Sequence, residues 1–337
     1  LKHTKIIMTR EEIIERFCQM GNWIEQGLES GEFDAVIRSA FAKNTWFCEE
    51  FVKQALKGIA LWLRKDELES FVADYGFAKE PKKVAIIAAG NIPAVGFHDI
   101  MCVLLSGNAA VCKLSYKDEV ILPFLFKNYF AERVIFETSI LKGFDAVIAT
   151  GSNNSALHFE NYFGKYPHII RHGRNSLAVL SGKETEEELQ ALADDMLLYA
   201  GLGCRSVSRL FVPKGYDFNP LKTACERYAW LRDLNKYRNN LDYHRAIFIM
   251  NNLAFVDLDN LLLIENEELA SGVSVVNYTY YENESEVAEY IEKNRENIQI
   301  VIGDNPSFCT TALGQGQNPR IKDFADGVDT MTWLSEL

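Results

Sequence analysis

The clearest chemical signal in the sequence is a cysteine set between glycines. In LLYAGLGCRSVSRLFVP, residues 197–213, Gly201 and Gly203 bracket a tight loop with Cys204 at its tip. A helical run is read as ending at Ala200. Val207, Leu210, Phe211 and Val212 read as a strand entering a core. Glycine lets a backbone turn where a side chain would clash, and it lets a ligand come close to the main chain. A thiolate there is a nucleophile if it has a depressed pKa or a nearby base, partial access, and donors for the oxyanion it creates. A free cysteine is more often a small core residue. Local chemistry alone leaves both readings open.

Composition narrows the classes. The 337 residues are 48% hydrophobic, enough for a large core and two domains. The net charge of −12 argues against a general nucleic-acid or acidic-membrane binder. Cys18, Cys48, Cys102, Cys112, Cys204, Cys225 and Cys309 are odd in number and show no C-x-x-C or zinc spacing. That is reduced, cytoplasmic usage, and no metal site is expected. The start, LKHTKIIMTREE, holds no apolar stretch of signal-peptide length, and no segment reaches the length of a membrane span.

The elements that must position Cys204 follow from periodicity. Residues 9–76 read as helices: Thr9 and Glu12 form a capping box, Asn44 caps a second long helix, and Asp66 opens a third. From Pro81 the pattern changes. KKVAIIAAG, NAAVCKLS, RVIFE and DAVIATGS are short apolar runs with helical stretches between them, one expected to bend at Pro123. Strands alternating with helices imply a parallel sheet whose ligand crevice lies beyond the strands' carboxyl ends. Gly90-Asn91, Lys113 and Gly151-Ser152 fall at those ends. HIIRHGRNSLAVLSG gives two strands, and ETEEELQALADDMLLYA is an amphipathic helix leading to Cys204. A second α/β unit follows. Its helices are expected near 219–231 and 285–294, and its strands at 245–250, 260–264, 273–279 and 298–302. The tail from Gly303 shows little periodicity. GQGQ, 314–317, lacks a preceding strand and reads as a loop.

No G-x-G-x-x-G follows a strand and no Walker loop is present. What stands out is an ordered series: AAGNIPAVG, GNAAVCKLS, ATGS, GLGC, SRLFVP and EELASGVSVV. That order resembles the aldehyde dehydrogenase superfamily. GNAAVCKLS is similar to its strand ending in Lys-Pro-Ser, ATGS to its phosphate loop, GLGC to its nucleophile loop and EELASGV to its Glu-x-Phe-Gly-Pro turn. Within the superfamily the chain resembles LuxC-type acyl-CoA reductases, with the tail DFADGVDTMTWL in support. The resemblance covers the chain from about Pro81 onward.

It implies an aldehyde-dehydrogenase-like α/β fold of two three-layer domains with an N-terminal helical region. Residues 1–80 would be helical and pack on the cofactor domain. Residues 81–173 would bind the nucleotide, 174–303 would carry the nucleophile, and 304–337 would return to the cofactor domain. Cys204 matches the nucleophile. Asn91 matches the asparagine whose amide forms an oxyanion hole with the cysteine N–H. Lys113 and Ser115 match the adenosine-ribose strand end, Gly151 and Ser152 the pyrophosphate loop, and Glu268 a glutamate near the nicotinamide ribose. The motif around Glu268 departs from the family, reading Ala270-Ser271-Gly272.

Two further departures bear on the reaction. The glutamate that activates water in hydrolytic members falls on Ile170, in IRHGRN. Without a general base, an acyl-enzyme reacts slowly with water. His172, nearby, is read as holding a backbone carbonyl in preference to moving a proton. The place of the acid that holds the ribose hydroxyls is Tyr116, followed by Lys117, which favours NADPH over NADH; Asp118 and Glu119 weigh against it. The expected reaction is NADPH-dependent reduction of an acyl-CoA or other acyl thioester, long-chain by resemblance, to an aldehyde through an acyl-cysteine. The rivals are a CoA-acylating dehydrogenase of short aldehydes and a catalytically silent nucleotide-binding protein. A dimer and an acyl-protein synthetase partner are the implied associations. The 21 Phe residues would suit an acyl tunnel or a core.

Overall fold

A computed structural model describes residues 8–337. The reading of the chain start as free of a leader falls partly on residues 1–7, outside the described residues. The chain divides into two compact units. One holds the chain up to His172 together with Arg320–Leu337, and the other holds Gly173–Pro319.

The first unit begins with α1 (Arg10–Ser30), α2 (Asp34–Lys43), α3 (Glu49–Trp62) and α4 (Lys65–Val72). The capping box is present: Thr9 N–H donates to Glu12 Oε2 at 2.8 Å, and Glu12 N–H donates to Thr9 Oγ1 at 3.2 Å. Asn44 does not start a helix. It ends α2, its N–H bonding Ala40 O, while its Oδ1 accepts from Trp46 N–H. An asparagine side chain suits either helix end, and here Cys48 precedes the next helix.

Next come β1 (Lys83–Ile87), α5 (Phe97–Leu105), β2 (Ala109–Lys113), α6 (Ile121–Phe126), β3 (Val134–Phe136), β4 (Ala146–Thr150), α7 (Asn153–Phe163) and β5 (His168–Arg171). The sheet is wholly parallel, in the order β3-β2-β1-β4-β5. The chain therefore reverses its direction of growth at β1. Ile87 pairs with both Lys113 and Ala149, so the carboxyl ends of β1, β2 and β4 are level. Pro123 causes no bend. α6 starts at Ile121, so proline sits in the first turn, where no N–H is needed. The aromatic residues form core: Phe17 stacks on Phe130 at 4.5 Å, and Phe33, Phe71, Phe97 and Phe126 are fully buried with them.

The second unit contains β6 (Asn175–Val179), α8 (Glu186–Leu197), β7 (Val207–Pro213), α9 (Asn219–Cys225), α10 (Asn235–Met250), β8 (Phe255–Asp257), β9 (Leu262–Glu265), β10 (Val275–Tyr281), α11 (Glu284–Asn294) and β11 (Ile298–Ile302). The order is β11-β6-β7-β10-β9-β8, and β8 pairs with β9 antiparallel. Residues 245–250 are not a strand but the end of α10. The RAIFIM run fits either periodicity, and the preceding Tyr237 and Leu241, buried with Phe248, set the helical one.

Residues 303–319 pack in the second unit. The chain then returns to the first, where α12 (Thr330–Ser335), unread in the sequence, follows its Asp329 cap. His98 Nε2 lies 2.8 Å from Ile321 O, and Arg171 bonds both Asp99 and Thr330. No described helix is long and apolar enough to cross a membrane.

Candidate active site

The Cys204 loop is built by helix termination. A capping box of Thr185 and Glu188 starts α8. The helix stops at Leu197, three residues before the expected end, and Tyr199 (φ 57°), Ala200 (φ 56°) and Gly201 (φ 71°) turn left-handed in succession. The first two have side chains and are buried, so the turn stores on the order of 1–2 kcal/mol per residue. Hydrogen bonds then fix the loop. Ser176 Oγ donates to Cys204 O at 2.8 Å, Gly203 N–H donates to Ser206 Oγ at 3.2 Å, and Ser206 N–H donates to Gly203 O at 3.0 Å. Cys204 itself is exposed, which removes the core reading. Cys48, Cys102, Cys112 and Cys225 are buried.

The strand leaving this loop holds the turn that carries Glu268. Arg209 on β7 is buried, between the rings of Phe211 and Tyr290. It donates from Nη1 to Asn266 O at 2.7 Å and Glu268 O at 3.0 Å, and from Nη2 to Thr279 Oγ1. Ser208 Oγ bonds Leu269 O, and Asn277 Nδ2 bonds Glu268 O and Ala270 O. Glu268 is exposed. A small cavity separates loop and turn, lined by Gly203, Ser206, Ser208, Ser271 and Gly272. Cys204 and Glu268 are thus on two loops of one unit, the first running into β7 and the second bonded to β7 side chains.

The other candidates share the carboxyl edge of the first unit's sheet. Lys113, half-buried, ends β2, and Ala88 N–H bonds its carbonyl at 3.1 Å. A Cβ on Gly90 would lie 2.7 Å from both Cβ and Oγ of Ser115, so these two loops touch only because Gly90 has none. Asn91 is exposed beside it. Ser152 caps α7, its Oγ accepting from Ser155 N–H, and a Cβ on Gly151 would strike Ser155 and Phe159. A helix N-terminus after a parallel strand favours an anion. Asp118 is buried. Its Oδ2 accepts from Ala94 N–H at 2.7 Å, its Oδ1 has no partner, and burial pushes its carboxyl up to about 7. Glu119 pairs with Lys43 at 3.6 Å.

A family model described as acyl-CoA reductase (LuxC) matches residues 49–263. The chain belongs to the LuxC acyl-CoA reductase family. It is an oxidoreductase of that family, and its fold is that of the aldehyde dehydrogenases. Aldehyde dehydrogenase 21 from Physcomitrella patens, solved with succinate, is similar at TM-score 0.66 and 11% identity, over 95% of this chain and 82% of that one. A mutant aldehyde dehydrogenase C from Pseudomonas syringae, solved with NAD+ and octanal, gives 0.63 and 12%, over 93% and 75%. The NAD+ complex of the Bacillus cereus aldehyde dehydrogenase gives 0.61 and 14%, over 89% and 73%. No curated protein matches the chain.

In this LuxC-family chain Ile170 lies within β5, and the neighbouring Arg171 is buried on Asp99. His172 is exposed and holds no backbone carbonyl among the described residues, contrary to the sequence reading. Ser176, Arg209 and Asn277, which hold these loops, were not read from the sequence, nor was Asp195, whose carboxyl accepts from Gly314 N–H and Gly316 N–H. Two of them leave a signal there. Arg209 is a charge inside an apolar strand run, and Asp195 follows Leu192 by three residues on the face of α8 that buries Leu189 and Met196.

Proposed function

We propose that this chain reduces an acyl-CoA, or another acyl thioester, to an aldehyde through an acyl-cysteine on Cys204, with NADPH as hydride donor. The observation that carries this reading is the exposure of Cys204 on a loop whose flanking backbone is fixed. The level strand ends, the close Gly90–Ser115 contact and the capped α7 fit a dinucleotide. Lys113 and Ser115 would hold its adenosine ribose, Gly151 and Ser152 its pyrophosphate, and Glu268 its nicotinamide ribose. When bound, the nicotinamide supplies a hydride.

The Cys204 thiolate adds to the thioester carbonyl, forming a carbon–sulfur bond and an oxyanion. Asn91 and the Cys204 N–H are the proposed donors to that oxyanion, an arrangement worth several kcal/mol in the transition state. Collapse breaks the bond to the CoA sulfur, which leaves as thiolate and takes a proton. Hydride addition to the acyl-cysteine gives a thiohemiacetal, whose collapse frees the aldehyde and regenerates the Cys204 thiolate. Ile170 offers no base to activate water, so reduction or transfer to a thiol outcompetes hydrolysis. Preference for NADPH is supported by the exposed Tyr116 and Lys117 after Ser115, by Asp118 facing inward, and by Glu119 being paired. The long-chain preference rests on the family, because Phe17, Phe33, Phe71, Phe97, Phe126 and Phe130 are core.

The test is NADPH oxidation over a ladder of acyl-CoA lengths, with wild type and Cys204→Ala. Turnover that peaks at long chains and disappears in the variant is expected. Turnover that survives in the variant overturns the acyl-cysteine route. Activity only with short aldehydes and CoA would establish the acylating direction.

A further inference from the structure

The GQGQ loop, 314–317, is distant in sequence from the nucleophile but bonded directly beneath it. Asp195 on α8 is fully buried, and its two carboxylate oxygens accept from Gly314 N–H at 2.6 Å and Gly316 N–H at 2.8 Å. Gln317 Nε2 lies 3.3 Å from Asp195 O and 3.3 Å from Ser206 Oγ, the same hydroxyl that accepts from Gly203 N–H. Arg205, the residue after the nucleophile, donates from Nε to Gly316 O at 2.6 Å. The glycines are required for this fit. A Cβ on Gly314 would lie 2.7 Å from Ala191 Cβ, and one on Gly316 would lie 2.7 Å from Asp195 Oδ1 and 2.8 Å from Ile302 Cδ1.

The geometry points to Asp195 and Gln317 as positioning residues for the nucleophile, acting through the 314–317 loop. The residues on both sides of Cys204 are bonded into one assembly: Gly203 through Ser206 to Gln317, and Arg205 through Gly316 to Asp195. The buried carboxylate fixes the loop, and the loop fixes the direction from which the Cys204 thiol and N–H meet an acyl carbonyl. A buried carboxyl that accepts two amide N–H bonds fixes the main chain of the loop at two points. The role is specific to attack geometry, where an error of about 1 Å costs on the order of 100-fold in rate.

The inference rests on Cys204 being the nucleophile. The experiment uses the full chain with Asp195→Asn, Gln317→Leu and Cys204→Ala. The readouts are kcat and KM for acyl-CoA and NADPH, the iodoacetamide labelling rate at Cys204, and the thermal midpoint. The clamp predicts a fall in kcat of about 10- to 100-fold in the first two variants, with KM for NADPH within about twofold. It also predicts a labelling rate at Cys204 changed at least about threefold. A purely structural role lowers the thermal midpoint and leaves kcat and labelling of the folded variants at wild-type values; that result overturns the clamp. If Asp195→Asn does not fold, Gln317→Leu, which leaves no buried charge unpaired, decides by the same criteria. Activity retained in Cys204→Ala sinks the nucleophile reading. Loss in Cys204→Ala beside wild-type Asp195→Asn and Gln317→Leu sinks the clamp alone. Labelling needs no turnover, so an unidentified substrate does not block the test.

Discussion

Ser176 Oγ donates a 2.8 Å hydrogen bond to the carbonyl oxygen of Cys204. Ser176 is fully buried on β6, whereas Cys204 is exposed, so the bond ties the Cys204 loop to the interior of the sheet. Ser176 O in turn accepts from Ser208 Oγ, the side chain that also bonds Leu269 O in the Glu268 turn. Three segments far apart in sequence therefore meet at two hydroxyls. Ser176→Ala removes the donor to Cys204 and leaves the Ser208 bond in place. A loss of about 1–2 kcal/mol in unfolding free energy is expected, with a fall in kcat larger than any change in KM. Urea titration and steady-state kinetics check both; an unchanged kcat would mean that the loop needs no tether at Cys204.

The cysteines separate by surroundings. Burial pushes the thiols of Cys48 and Cys225 up to about 12 and that of Cys309 up to about 11, and it raises Cys102 and Cys112 strongly. Cys18, half-buried, is raised too. Cys204 is exposed. A thiolate is the reactive form, so limited iodoacetamide at pH 7.5 should label Cys204 first, at least about tenfold ahead of the buried residues. Peptide mass mapping over a time course reads this. Equal labelling of Cys204 and Cys18 would remove the case for an activated nucleophile.

How far the sequence revealed this arrangement depends on distance along the chain. Cys204 was legible because Gly201 and Gly203 mark its loop locally. The strands β1, β2, β4 and β11 were legible because apolar runs end in turn residues. The clamps were not, because Asp195 meets Gly314 and Gly316 at separations of 119 and 121 residues, and no local pattern encodes such a pairing. The misread strand at 245–250 has a related cause. RAIFIM carries no length information of its own, and the helix that contains it is set by Tyr237 and Leu241. Asn44 failed for a different reason, since an asparagine can serve either end of a helix and only its neighbours decide.

Stability should fall between about pH 4 and 7. The Asp118 carboxyl is raised from 3.8 to about 7 by burial, against the lowering effect of the Ala94 N–H. Over that range the unfolded chain loses the proton while the folded one keeps it. The unfolded state then binds fewer protons, and the slope of stability with pH is negative. The contribution is complete below the unfolded value and is lost as pH rises through the folded one. Asp195, also raised to about 7 by burial, acts in the same direction. Asp118→Asn keeps an acceptor for Ala94 N–H and carries no charge. It should flatten the curve, gaining on the order of 2–4 kcal/mol over wild type at pH 8 and little at pH 4. Urea midpoints at the two pH values check this, and parallel curves for the two proteins would refute it.

In the first unit, Arg171 and Asp99 form a buried ion pair. Arg171 Nη1 lies 2.7 Å from both Asp99 oxygens, its Nη2 bonds Thr330 Oγ1 at 2.9 Å, and both charged side chains are buried. Removing one partner leaves the other charge buried and alone. Asp99→Ala should cost about 3–5 kcal/mol, whereas Thr330→Val, which removes one neutral hydroxyl, should cost about 1 kcal/mol. Denaturant midpoints separate the two. Similar costs for both would mean that water or rearrangement neutralises Arg171.

The contact between Gly90 and Ser115 gives a test of the proposed cofactor edge that leaves Cys204 unchanged. A methyl group at Gly90 has 2.7 Å to Ser115 Cβ and 3.2 Å to Lys117 Cβ, so the Ser115–Lys117 loop must move. That loop follows the strand end at Lys113 and carries the exposed Tyr116 and Lys117. Gly90→Ala should therefore raise KM for the nicotinamide cofactor about tenfold or more and leave the Cys204 labelling rate unchanged, because labelling needs no cofactor. Lys117→Ala moves no backbone and removes only a cation. If Lys117 attracts a 2′-phosphate, its loss should raise KM for NADPH several-fold while KM for NADH stays constant. An equal rise for both cofactors would assign Lys117 to the shared part of the dinucleotide, and no rise for either would take it out of the site.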